Sequence, residues 1–154
     1  ESRDLKDPEA VVERVLKAAV SMAGEPFGAS TQITQLSGGQ SRALMIADAA
    51  YLSPKPIVLI DEIENAGVDR TRALKLFVEK GKIVLLSTHD PLLALSGARR
   101  LVIQNGAVAA VLEQSKEELA ATDALSKIDK TLAGIREKLR KGERIDPASL
   151  AGIR

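Results

Sequence analysis

The sequence predicts an α/β fold: a small, mostly parallel sheet flanked by helices, with a short β-hairpin and a helical C-terminal extension. Three observations predict it. Residues 57–60 and 83–86 are aliphatic runs rich in β-branched side chains, each followed at once by polar residues, and a stretch with helical spacing separates them. Strand, helix, strand is the order of a parallel pair. Asn105-Gly106 stands between two further apolar runs, and this dipeptide tolerates the positive φ angles of a tight hairpin turn. Near the C-terminus, apolar residues recur at alternating spacings of three and four, the pattern of a helix with a narrow apolar seam.

Each element has its own signals. Asp7-Pro8-Glu9 reads as a helix start, with Asp7 as N-cap and Pro8 at the first helical position. Val11, Val12, Val15, Leu16, Ala19 and Met22 follow, and Gly24 and Pro26 end the helix. Residues 27–36 are polar and without a clear period, after which Ser37-Gly38-Gly39 opens a second helical stretch to about Leu52. Ser53-Pro54-Lys55-Pro56 breaks the chain there. The run 57–60 reads as a strand buried on both faces of a sheet, ending in Asp61-Glu62. A loop through Asn65 and Gly67 leads to a helix at about 70–79, and Gly81 precedes a second buried-type strand that ends in Ser87-Thr88-His89-Asp90. After the hairpin, Ser115 and Glu118 form a capping box. Leu125, Ile128, Leu132, Ile135 and Leu139 then make the apolar seam, with Arg136, Lys138, Arg140 and Lys141 around its end.

Composition narrows the function classes. A chain of 154 residues, 45% of them hydrophobic, buries roughly two-thirds of its unfolded surface and needs no crosslink to hold a core. It contains no Cys, which removes disulfide and thiolate chemistry. With 22 Lys+Arg against 21 Asp+Glu, a net charge of +1 gives no overall electrostatic reason to expect nucleic acid or an anionic membrane as partner. The apolar runs fall far short of the ~20 residues a membrane helix needs, so neither a span nor a secretory signal is expected. Phe27, Tyr51 and Phe77 are the only aromatics, so the core is aliphatic and base stacking is not the main mode of binding. A first residue of Glu1 points to a trimmed chain or a fragment.

Three groups of residues carry chemistry. Leu36-Ser37-Gly38-Gly39-Gln40 sits where a loop becomes a helix, so unpaired backbone N–H groups, the positive end of the helix dipole and the Ser37 hydroxyl make an anion site. The glycines let the backbone approach a phosphate closely. Taken alone, the same residues also describe a Ser N-cap with a flexible turn. Asp61 and Glu62 are two carboxylates at the C-terminal end of a strand, the edge where open α/β sheets hold ligands; alone, they also suit a solvated strand end. His89 follows the second strand in the same way, and a lone histidine can equally be structural.

In this order, the pentapeptide, a helix, four aliphatics with Asp-Glu, a loop ending in Asp69, and a strand with Thr-His-Asp resemble the C-terminal half of an ATP-binding-cassette (ABC) ATPase, a P-loop NTPase-like domain. The resemblance covers about residues 31–108. It implies that Ser37, Gly38, Gly39 and Gln40 are the signature motif, contacting the γ-phosphate of ATP held by a second cassette. It implies that Asp61, in the Walker B element, holds Mg²⁺, that Glu62 orients or deprotonates the attacking water, and that His89 bridges the γ-phosphate and the opposite subunit. Asp69 is then the D-loop aspartate that couples the two sites. These roles suit phosphoryl transfer, where positioning and charge stabilisation dominate. On this resemblance residues 1–30 end a helical subdomain, 31–113 carry the signature, Walker B, D-loop and H-loop part of the core, and 114–154 are the helical extension. A cytoplasmic location follows, at the inner face of a membrane where a permease subunit is the partner.

The sequence also departs from the family. No Gly-x-x-x-x-Gly-Lys-Ser/Thr occurs in these residues, so the Walker A phosphate cradle must come from a segment or subunit outside them. Ala43 stands where an Arg is usual, with Arg42 one position early, and Ile63-Glu64 replaces the common Pro-Thr. The expected function is therefore the C-terminal part of an ABC-type ATPase, using ATP and Mg²⁺ across a dimer and inactive as an isolated chain. Two alternatives are a non-hydrolysing docking module and a head fragment of a DNA-repair or chromosome-maintenance ATPase. The second would adjoin long coiled coils, and the seam here is only about two heptads.

Overall fold

The computed structural model describes residues 7–65 and 67–147. They divide between two compact units, Glu1–Thr88 and His89–Arg154. The first six residues, the last seven and Ala66 of the loop before Asp69 lie outside the described residues.

The first unit contains α1 (Pro8–Met22), α2 (Gly38–Tyr51), β1 (Ile57–Asp61), α3 (Arg70–Glu79) and β2 (Ile83–Ser87). The Asp7 carboxylate accepts the Ala10 N–H at 3.0 Å, and Pro8 occupies the first turn, so α1 begins where its sequence signals place it. Its buried side chains are Val15, Ala19 and Met22, and those of α2 are Ala43, Ala47 and Ala50. Both sets follow the i, i+4, i+7 rule for one helix face. Four alanines among six positions let the two helices approach closely. Ala43 is fully buried in this contact, which explains why a long basic side chain does not stand there, while Arg42 is exposed. Helix α3 packs against α1, α2 and β2 and buries Ala73 and Phe77, the latter the largest fully buried side chain.

Strands β1 and β2 are parallel, in register from Ile57↔Ile83 to Asp61↔Ser87. The strand–helix–strand expectation holds, but two others require correction. The strands are not buried on both faces: Ile57, Leu59, Ile83 and Leu85 are 53%, 77%, 60% and 49% exposed, while the alternate residues are half-buried. Nor do the described strands form one mostly parallel sheet. They form two ribbons of two strands, one parallel and one antiparallel. The physical reason is shared: with only two strands per ribbon, the described residues are too few to pair every edge and cover every face.

The second unit contains α4 (Pro91–Ser96), β3 (Arg99–Gln104), β4 (Ala107–Glu113) and α5 (Lys116–Arg140). Asn105 and Gly106 have φ of 50° and 76°, so they make the expected hairpin turn. A register shift falls between Val102 and Ile103. Ser115 and Glu118 form the expected capping box, and α5 runs 25 residues with Lys138 and Arg140 in its last turn, where cations favour the helix dipole. The Arg100 guanidinium pairs with Glu118, and this bond, with the Ser115 N–H, holds the Glu118 carboxyl below the usual carboxylate range. Helix α5 packs on α4, yet none of its residues is buried, and Leu132 and Leu139 remain exposed. Among the described residues no helix is long and apolar enough to cross a membrane.

Candidate functional site

The expected anion site is built by the start of α2. Ser37 is its N-cap: the Ser37 Oγ accepts the Gln40 N–H at 3.3 Å, and the Gln40 Oε1 accepts the Ser37 N–H at 2.8 Å. This is a capping box, which adds the Gln40 side chain to the Ser N-cap that the sequence allowed. It leaves the N–H groups of Gly38 and Gly39 at the first two helical positions, where an α-helix supplies no acceptor. Ser37 and Gly38 are exposed, and a Cβ at Gly38 would meet nothing within 4 Å. The donors and the open approach fit the oxygens of a phosphate. The Gln40 amide faces the fold as well, donating to the carbonyls of Glu25 and Pro26 at 3.4 Å each.

Gly39 is glycine for a reason the sequence did not reveal. A Cβ there would lie 2.8 Å from the Gly67 carbonyl oxygen, a separation real Cβ atoms do not tolerate. Gly67 itself has φ +69°, the left-handed region that glycine enters without a steric cost. The 67–69 segment is further tied to the end of α1, through an isolated bridge between Ala23 and Val68 and a 2.8 Å bond from the Asp69 N–H to the Met22 carbonyl. The Asp69 carboxylate caps α3, accepting the Arg72 N–H at 3.0 Å and pairing with the Arg72 Nε at 3.2 Å. Arg72 also donates to the Ser21 carbonyl at 2.6 Å. One network thus holds the pentapeptide, Gly67, Asp69 and the end of α1 together.

Asp61 and Glu62 lie at the C-terminal end of the parallel ribbon, both exposed. Asp61 is level with Ser87, and the Glu62 N–H donates to the Ser87 carbonyl at 3.0 Å. Glu62 then takes φ +46°, an uncommon conformation for a residue with a side chain, of a kind that concentrates at functional sites. The following 3₁₀ turn, Ile63–Asn65, is anchored by Ile63, which is 2% exposed. Among the described residues no three His, Asp or Glu side chains converge to hold a metal. One or two carboxylates do suit Mg²⁺ when phosphate oxygens complete its shell. His89 is exposed and opens the second unit, directly after Thr88.

An apolar cleft of about 340 Å³ lies among α1, α2 and the intervening segment, lined by residues such as Val11, Leu16, Phe27 and Leu44. Of the pentapeptide only Leu36 lines it; Ser37, Gly38, Gly39, Gln40, Asp61, Glu62, Asp69 and His89 do not.

The chain is similar to ABC transporter ATP-binding proteins. The chain is 47% identical over 137 residues to an uncharacterised ABC transporter ATP-binding protein of Methanocaldococcus jannaschii, covering 89% of this chain and 52% of that one. A match of that length necessarily includes residues 18–137, and with them every candidate from Ser37 to His89. It is 34% identical over 103 residues to the macrolide export ATP-binding/permease protein MacB of Hahella chejuensis, covering 60% of this chain and 16% of that one. It is 28% identical over 105 residues to the spermidine/putrescine import ATP-binding protein PotA of Borrelia garinii subsp. bavariensis, covering 65% and 30%. The chain spans about half the length of the first of these relatives and less of the others. No family model matches it, and no solved structure matches it significantly.

Proposed function

Because the chain is homologous, over nearly its whole length, to part of an ABC transporter ATP-binding protein, we propose that it supplies the signature and Walker B half of an ATP-hydrolysing cassette. A phosphate-binding loop from outside these residues completes it, and a second cassette faces it across the nucleotide. The observation that carries this reading is the open parallel ribbon: four aliphatic side chains stand exposed beside a strand end bearing two carboxylates. Exposing them costs roughly 25 cal/mol per Å² of apolar surface, which further strands and helices of a complete domain would recover.

In the complete site Gly38, Gly39 and Ser37 donate hydrogen bonds to the γ-phosphate of the facing nucleotide. Asp61 would hold Mg²⁺, which when bound would neutralise charge on the phosphate oxygens. Glu62 orients the attacking water or accepts its proton, His89 bridges the γ-phosphate and the opposite subunit, and Asp69 couples the two sites. The macrolide export relative is named as an ATP-binding/permease protein, which supports a membrane permease subunit as the proposed partner of the assembled protein.

Leu59 tests the incomplete-domain reading. Leu59→Lys is expected to leave the isolated chain's stability within about 0.5 kcal/mol, as for an exposed surface position. In the complete cassette, the same lysine would be buried and would cost several kcal/mol. Chemical denaturation of both proteins measures the difference. Equal, small effects in the two would overturn the reading.

A further inference from the structure

We propose that Thr88 and Glu64 form a strap that positions Glu62 for catalysis, an inference that rests on the function proposed above. Two ties join the ends of the parallel strands. The first is the bond from the Glu62 N–H to the Ser87 carbonyl, at 3.0 Å. The second lies beyond it: the Thr88 Oγ1 donates to the Glu64 Oε1 at 2.6 Å, with both residues half-buried. A hydrogen bond to a carboxylate is stronger than one between neutral groups, and partial burial shields it from water.

Glu62 needs such a device. Its φ of +46° is a conformation that persists in a residue with a side chain only where the surroundings over-determine it. Behind it the main chain is fixed by the strand ladder, and ahead of it by Ile63, 2% exposed, and by Glu64. Without the strap, the Ile63–Asn65 turn keeps a buried anchor but loses the tether to Thr88. Glu62 can then relax toward ordinary backbone angles and carry its carboxylate away from the water it must orient. Thr88 and Glu64 touch no reacting atom in this account. They are positioning residues, and their loss appears in kcat.

The test is steady-state ATP hydrolysis by the complete ATPase carrying Thr88→Val, Thr88→Ser, Glu64→Gln, the Thr88→Val/Glu64→Gln pair, or Glu62→Gln. Thr88→Val removes the hydroxyl and keeps the shape; it is expected to lower kcat about tenfold with the KM for MgATP unchanged, in proportion to one charge-assisted bond. Thr88→Ser restores the donor and the rate. The loss in the double variant is smaller than the sum of the two single losses, because both variants remove the same bond. Should Thr88→Val fail to fold, Glu64→Gln reads the same quantity: a lowered kcat at constant KM supports the strap. Wild-type kcat in Thr88→Val and Glu64→Gln beside an inactive Glu62→Gln overturns the strap and leaves the function standing. A rise in KM alone also overturns it. A fully active Glu62→Gln overturns the function itself.

Discussion

Glu62→Gln is expected to lower kcat for ATP hydrolysis by about 10²- to 10⁴-fold, the range for removal of a general base, while MgATP still binds. Gln keeps the size and hydrogen-bonding shape of Glu but cannot take a proton from water. Two features of the fold make the result specific to chemistry. Glu62 is exposed, so the substitution removes no core packing, and stability should move by no more than about 0.5 kcal/mol. Its backbone geometry is held by the Ser87 carbonyl and by Ile63, neither of which the substitution touches. Turnover assays paired with equilibrium nucleotide binding separate the two effects. An unchanged kcat would remove Glu62 from the mechanism.

The second large effect is expected at Gly39, and it differs in kind from that at its neighbour. Gly39→Ala places a methyl group 2.8 Å from the Gly67 carbonyl oxygen, which is rigid backbone. Either α2 or the 67–69 loop must move, at about 1–3 kcal/mol for a forced core overlap. The movement reaches Asp69 and the end of α1 through their shared bonds. Gly38→Ala meets open space and is expected to leave stability unchanged or slightly raised, since Ala loses less conformational entropy on folding. Its methyl group instead obstructs the proposed approach of a phosphate. Urea denaturation and ATPase assays on both variants should show Gly39→Ala impaired in stability and turnover, and Gly38→Ala in turnover alone. Equal stabilities would contradict the packing role assigned to Gly39.

Much of this fold was legible because its signals are local. Asp7-Pro8, Ser37, Ser115 with Glu118 and Asn105-Gly106 each act on their own few residues, and each produced a cap or turn that the sequence allowed. Helix α4 escaped notice although Asp90-Pro91 repeats the Asp7-Pro8 signal, because six residues are too few to show a helical period. The exposed strand faces were illegible for a different reason. A continuous aliphatic run records what a strand can bury, and its exposure here depends on which other elements are present to cover it.

At the site, sequence nominated residues for the proposed chemistry without revealing what holds them. The left-handed backbone of Glu62 and the bond between Glu64 and Thr88 arise from residues distant in the chain. The glycine at position 39 was expected to make room for a phosphate, whereas its bare face meets the backbone of Gly67. A second glycine in the following loop was the available signal, and only the folded arrangement shows that the two belong together.

The most direct measurement is equilibrium binding of MgATP, first to the 154-residue chain alone and then to the same chain joined to the upstream half of its cassette. A donor loop and two carboxylates without a phosphate cradle predict no saturable binding in the first case, and saturable, Mg²⁺-dependent binding in the second. Tight, saturable binding by the 154 residues alone would contradict the account.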